Sequence, residues 1–377
     1  MKKPTPRWIA YIIGGIITAC AAVVLLPPVQ RLGEGDSVPL AAATLEGGQA
    51  GGAGDNVSKT GDGSDNSQDA ALASAGATDG APNSASAAEN TEAAGDTQTS
   101  IPTSSPTPPP TNVPGLRCLF QSDNFADAVK NAAVFQPNGG AKITAGVVPH
   151  HLVAQTLISG LLSLAAQNPP EKAYDTVVIV APNHAGDIAD IIVSEKNWDF
   201  GGGVDCDTGI ESAVLALRGK FDIAQNDQRM EEDHSASTMI PFIDYYIPGA
   251  EVAPVLVSRT LSLDDTLNFA KALYDIISQS GKRVLLLCSI DFSHYLTPDK
   301  ALANGTRTIQ AINSRDYAMI HSFSNSYVDS PASLIIFLKY LELTGSSLDI
   351  LDHTEASAFL GGGIDSTTSY IIMAGEK

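Results

Sequence analysis

The sequence predicts an α/β fold over residues 115–377: a three-layer α/β/α sandwich around a mostly parallel central sheet. Three observations predict it. Apolar runs of strand length alternate with segments whose apolar residues recur at helical spacing. The runs are continuously β-branched or aliphatic, as strands buried on both faces require. Several of them stop on a polar tip carrying histidine, at the sheet edge where open α/β folds place their ligands.

The chain is organised around Thr176–Val180 (TVVIV), a strand that stops at Ala181-Pro182-Asn183. Proline cannot continue a ladder and asparagine favours a turn; His184 follows at once. Upstream, Asn124–Phe135 has helical spacing, Lys142–Pro149 reads as a strand ending at His150 and His151, and Leu152–Ala166 reads as a helix closed by Asn168-Pro169-Pro170. Strand, helix and organising strand make a β–α–β unit, expected to be parallel and right-handed. Downstream, Ile188–Val193 is a strand. Trp198–Gly209 is a glycine-rich loop without the GxGxxG order, or the Gly-Lys-Ser/Thr ending, of a phosphate loop. Ile210–Gly219 and Ser235–Tyr246 are helical by pattern, Glu251–Val257 is a strand, Leu263–Ser278 an amphipathic helix and Arg283–Ile290 a fully buried strand. Helices at Ala301–Ser314 and Ser330–Thr344 and a closing strand at Thr368–Met373 complete the domain.

Composition divides the chain of 377 residues into three parts. Between Gly33 and Pro114 there is no aromatic residue and a single basic one, Lys59. Such a stretch cannot bury enough apolar surface to offset the entropy of ordering it, so residues 33–114 are expected to be a disordered acidic linker with a stiff proline-rich end at Ser104–Pro114. Part of the formal charge of −20 resides there. The folded part has no Lys/Arg cluster, which argues against nucleic-acid binding. Residues 1–32 hold Lys2, Lys3 and Arg7 ahead of the apolar stretch Trp8–Leu26, close to the roughly 20 residues that cross a bilayer, with the basic end on the cytoplasmic side. An uncleaved signal anchor is the first reading. A lipoprotein signal at Ile17-Thr18-Ala19-Cys20 and an ordinary cleaved signal are the others. Each exports the domain, so the expectation is a single-pass cell-membrane protein with an extracytoplasmic C-terminal domain. Cys118, Cys206 and Cys288 show no metal-binding spacing. Cys288 reads as a core thiol, and a Cys118–Cys206 disulfide is open to an exported domain.

Four tips carry five of the seven histidines: His150 and His151, His184, His234, and His294. Imidazole is the commonest metal ligand, and catalytic sites use about three protein ligands with an open position. His150 and His184, each behind a proline, end successive strands and are the candidate metal ligands, and only one of His150 and His151 is expected to point inward. Asp233-His234-Ser235 is also a helix-start signal, in which Asp233 or Ser235 caps. Asp291-Phe292-Ser293-His294 offers a carboxylate, a hydroxyl and an imidazole, groups suited to acid–base chemistry. His234, Asp291 and His294 are therefore the candidate catalytic residues. His321 and His353 lie elsewhere, in a helix-to-loop stretch and an acidic loop, and read as surface or capping residues.

The ordered set Pro149-His150, Pro182-Asn183-His184, Glu232–Ser235 (EDHS), Ile290–His294 (IDFSH) and Asp365–Tyr370 (DSTTSY) resembles the Memo-like family, protein B of the AmmeMemoRadiSam system. The resemblance covers about Ile143 to Gly375. It implies a fold similar to class III extradiol dioxygenases, which hold a non-haem iron, and a metal held by two histidines and a cysteine. The histidines fall on His150 and His184. The cysteine falls on Ser293, a poorer ligand than a thiolate for a soft or borderline metal, and a further family histidine falls on Met239. Asp291, His294 or Ser293 is left as the third ligand, with iron, copper or zinc as the metal. The function implied is a metal-dependent enzyme, oxidative or hydrolytic, acting on a small molecule. A non-catalytic binding module on the same fold is the alternative. An AMMECR1-like protein and a radical SAM enzyme are companions by family implication alone.

Overall fold

The computed structural model describes residues 114–200, 203–361 and 363–377. Ten strands are present among them: β1 (Leu116–Arg117), β2 (Ile143–Val148), β3 (Thr176–Pro182), β4 (Ile191–Val193), β5 (Trp198–Asp199), β6 (Ile223–Gln225), β7 (Glu251–Val257), β8 (Val284–Ser289), β9 (Ser347–Glu355) and β10 (Ser369–Glu376). Short β1 and β5 pair with each other, and the rest form one sheet in the order β6-β4-β7-β3-β8-β2-β10-β9. The centre is parallel, with β3 paired to both β7 and β8, and β8 to β2. Antiparallel β10 and β9 close one side, and β4 joins β7 antiparallel on the other. The sheet is thus mixed with a parallel core, and the expected α/β class holds.

Alternation along each strand builds two cores. Val178 and Val180 of β3 face a cluster completed by the helices Leu263–Gln279 and Pro331–Thr344, while Val177 and Ile179 face another completed by Gln155–Gln167 and Ile240–Tyr246. Sheet and helices come close where side chains are small. A Cβ on Gly146 of β2 would lie 2.5 Å from Leu161 Cδ2.

Four parallel strands end at one edge, at Val148, Pro182, Val257 and Ser289. The turns that leave them carry His150 and His151, His184, Arg259, and Asp291 to His294. The β–α–β unit is not a neighbouring pair: β8 lies between β2 and β3. Its insertion brings the Asp291 tip between the His150 and His184 tips.

Several expectations need correction. The helix expected over Ser235–Tyr246 is two, His234–Ser237 and Ile240–Tyr246, with Pro241 in the first turn of the second, where no amide donor is needed. The helix expected over Asn124–Phe135 is limited to Phe125–Lys130. His353 lies in β9, an edge strand whose alternating polar residues read as a loop, and its ring packs over Gly305. Cys118, Cys206 and Cys288 are all buried and free, so no Cys118–Cys206 disulfide forms.

The single-pass membrane placement is also corrected, since no helix among the described residues is long and apolar enough to cross a membrane. Pro331–Thr344, almost wholly buried against the sheet, has 14 residues, about 21 Å at 1.5 Å per residue against a hydrocarbon core of about 30 Å. The stretch Trp8–Leu26 on which the placement rested, and the linker up to residue 113, lie outside the described residues.

Candidate metal centre

The strand-end turns converge on a cavity of about 240 Å³ whose lining includes His150, His151, His184, His234, His294 and Asp329. Both His150 and His151 reach it, contrary to the expectation that only one would. His150 is fully buried and His151 partly so. The rings contact one another: His184 stacks on His234 at 4.4 Å between centroids, and His150 meets both edge-on at 5.1 and 4.9 Å.

One side is organised by Asp233. It caps the helix His234–Ser237 by accepting from Ser235 N, and its other oxygen accepts from His184 N at 3.0 Å. Its Oδ1 also lies 3.0 Å from His184 Nδ1. Burial opposes charge on both partners, but the hydrogen bond and mutual attraction outweigh it. They raise His184 above its ordinary value and bring Asp233 down to about 2. With Nδ1 turned to Asp233, His184 presents Nε2 to the cavity. This is how metal-binding imidazoles are commonly oriented. Burial, then the nearby charge of His184, lowers His234 to about 4.

The other side is organised by His150 and two buried acids. Ser289 Oγ donates to Ser235 O at 2.7 Å, so towards His150 Nδ1, 3.2 Å away, it can only accept. That fixes the tautomer: Nδ1 carries the proton, and Nε2 offers a lone pair. Burial, followed by the neighbouring histidines, holds His150 well below its ordinary value, so it is neutral. Its Nε2 nevertheless lies 3.3 Å from Asp329 Oδ2 and 3.4 Å from Asp291 Oδ2. His150 Nε2, Asp291 Oδ2 and Asp329 Oδ1 are buried without a hydrogen-bond partner. Burial and their mutual repulsion push Asp291 well above the carboxylate range. Burial takes Asp329 to about 7, against the attraction of His184. Acceptors crowded in this way need a shared proton or a cation.

Four groups of three donors can hold a metal ion, each with its ligand atoms within 4.8 Å of one another. They are His150/His184/Asp329, His150/His151/His234, His151/Asp291/His294 and His184/Asp233/His234. The first combines both candidate metal ligands with a buried acid.

The Memo family profile, described as "Memo-like protein", matches residues 122–374, two thirds of the chain. The chain belongs to the Memo-like family. It is 27% identical to a MEMO1 family protein of Pyrobaculum arsenaticum, over 63% of this chain and 85% of that one. It is 30% identical to a MEMO1 family protein of Methanococcoides burtonii, over 48% and 65%. An uncharacterized protein of Escherichia coli K12 aligns in structure at 10% identity with a TM-score of 0.44, covering 62% of this chain and 99% of that one.

Among the positions that the Memo-like resemblance singles out, two do not reach the cavity. Ser293 is buried and its Oγ donates to Ala301 O at 3.2 Å, so it is not positioned as a ligand. Met239 is buried in the core beneath the helices. Sequence reasoning missed Asp329, Ser289 and Arg259. Asp329 precedes Ser330-Pro331, an ordinary helix start, and no histidine accompanies it. Its only legible signal was an acid before a cap. Arg259 lines the cavity and donates to the carbonyls of Phe323 and Val328, bracing the segment that carries Asp329.

Proposed function

We propose that this Memo-like domain, taken as residues 115–377, is a metal-dependent enzyme acting on a small molecule in the histidine-lined cavity. His150, His184 and Asp329 would hold the metal. The observation that carries this reading is that the buried, unpartnered His150 Nε2 faces two buried carboxylates, each with one oxygen unpartnered, a deficit of positive charge that a divalent cation would supply. Two imidazoles and a carboxylate suit iron or zinc. Without a thiolate they suit copper in its reduced state less well. Such a metal would supply Lewis acidity, or redox chemistry of the kind implied by the resemblance to class III extradiol dioxygenases.

The remaining side chains have definable tasks. Asp233 holds His184 in one tautomer, and Ser289 does the same for His150. His234, neutral at pH 7 and open to the cavity, accepts a proton from the substrate and returns it. His294, brought to about 4 by burial and then by His151, is neutral and lines the same cavity. Tyr295, largely exposed at the mouth, contacts the His294 ring and limits what enters.

The test is elemental analysis of the full-length protein purified anaerobically, followed by activity screening on catechols and hydrolysable esters. Metal at one equivalent or more, which His150→Ala and His184→Ala each lower by about one equivalent without unfolding the protein, is the expected result. Unchanged metal content in both variants would sink the assignment. The second reading is a non-catalytic binding module. It is favoured by Ser293 and Met239 standing where the resemblance expects a cysteine and a histidine, and it gains if the protein neither holds nor takes up metal.

A further inference from the structure

The donors at the strand ends form more than one group with metal-ligand spacing. After His150, His184 and Asp329 are assigned, His151, Asp291 and His294 remain as a separate group with ligand atoms within 4.8 Å of one another. Asp291 is fully buried, and Oδ1 of its carboxylate is anchored by the backbone N–H of His150 at 3.2 Å. That anchor turns Oδ2 towards both histidine rings, 3.4 Å from His150 Nε2 and 3.1 Å from His151 Nδ1. Despite these separations Oδ2 has no hydrogen-bond partner, and neither has the buried Nδ1 of His294. Close approach without hydrogen-bond geometry is how donor atoms stand around a common cation. Atoms bound at about 2.0–2.1 Å in a tetrahedral site lie roughly 3.4 Å apart.

We propose that His151, Asp291 and His294 form a second divalent-cation site beside the first, and that Asp291 Oδ2 serves both. The inference rests on the metal-dependent reading above and extends it to a paired centre. Two imidazoles and one carboxylate, with no thiolate, fit zinc, manganese or ferrous iron. The two groups share the turn after β2, which carries His150 and His151; beyond it the first draws on the turn after β3 and the Asp329 segment, and the second on the turn after β8. Asp329 and His294 lie on different segments, so either side chain can be removed while the other group keeps its own. Such a pair would supply Lewis acidity suited to hydrolytic transfer at a carbonyl or phosphoryl centre.

The experiment uses the full-length protein, stripped with chelator and titrated with Mn²⁺ and separately with Zn²⁺. Bound metal is counted after desalting, and Mn²⁺–Mn²⁺ coupling is read by electron paramagnetic resonance. The wild type is expected to retain two equivalents with a spin-coupled Mn²⁺ signal. His294→Ala should retain one equivalent with an isolated-ion signal, and Asp329→Asn should also retain one. His294→Gln, which preserves side-chain volume, repeats the test if the alanine variant does not fold. A single equivalent in the wild type overturns the pair, and if Asp329→Asn alone removes it the first site stands without the second. Failure to retain any metal overturns the paired site and the metal-dependent reading together.

Discussion

The two halves of the cavity solve the same problem differently. On the β3 side, Asp233 meets His184 twice, through the backbone amide and through the ring, and also caps the helix that follows. Each carboxylate oxygen has a donor, and the pair is stabilised by its own charges. On the β2–β8 side, His150 presents a lone pair to two buried carboxylates, and three acceptor atoms stay unpartnered. The β3 half is a finished structural element that orients a ligand. The other half is incomplete as a protein-only arrangement, and it is there that the cation is expected to bind most strongly.

The largest effect should follow from breaking the incomplete half. Asp329→Asn removes one of the crowded negative charges and a ligand, so metal affinity should fall by more than the roughly 10–100-fold that orienting partners contribute. Isothermal titration with Zn²⁺ would measure this, and an affinity within threefold of wild type would contradict it. The apo variant should be no less stable than the wild-type apo protein, because it relieves repulsion with Asp291.

Breaking the finished half should do less to binding and more to the apo fold. Asp233→Asn keeps the cap geometry but loses the charge that favours His184. Metal affinity should fall by about 10–100-fold, and the apo protein should melt lower than Asp329→Asn under the same conditions. The reverse order of melting temperatures would remove the distinction between the halves.

These halves were unequally legible in the sequence. The β3 half announced itself: an unbroken apolar run, a proline, a histidine, and an aspartate placed to cap a helix. The strands around it were legible for the same reason, because burial on both faces leaves a continuous apolar run, as in Thr176–Pro182 and Val284–Ser289. The β2–β8 half depends on sheet order, which local pattern does not encode. Nothing in Ile143–His151 states that β8 will lie between β2 and β3, and nothing around Asp329 distinguishes it from an acid before a helix cap. Half-exposed edge strands such as β9 were lost because their periodicity resembles that of a polar loop.

A buried acid away from the cavity provides the control for reading unpartnered carboxylates as a cation site. Glu211 is fully buried with both oxygens unpartnered, yet burial and then the charges of Glu195 and Asp207 are what act on it, and no histidine stands among these causes. It should hold a proton, not a metal. Its carboxyl is raised well above the ordinary 4.5, so the folded state binds that proton more tightly than the unfolded state does. Its contribution is complete below about pH 4.5 and is lost as pH rises through the folded-state value, at up to about 1.4 kcal/mol per pH unit. Glu211→Gln should flatten that slope in denaturant melts between pH 5 and 8 while leaving metal content unchanged. A lowered metal content would show that burial without histidines suffices for a cation here.

The smallest effect concerns the thiolate that the family resemblance expects. If the centre simply lacked its cysteine, Ser293→Cys would restore a strong ligand and raise affinity. The geometry argues otherwise: Ser293 is buried, its hydroxyl donates to Ala301 O, and its own carbonyl accepts from Ser369 N at 2.9 Å, fixing the backbone against β10. A cysteine there would inherit the same direction, away from the cavity, while the proposed centre takes its anionic ligand from Asp329. Ser293→Cys should therefore leave metal stoichiometry unchanged, and the Co²⁺-loaded variant should show no sulfur-to-cobalt charge-transfer band. Such a band would mean that the turn after β8 can rotate its side chain into the cavity. The carboxylate would then be a substitute for the thiolate within one flexible site, and the contrast between a finished and an incomplete half would lose its structural basis.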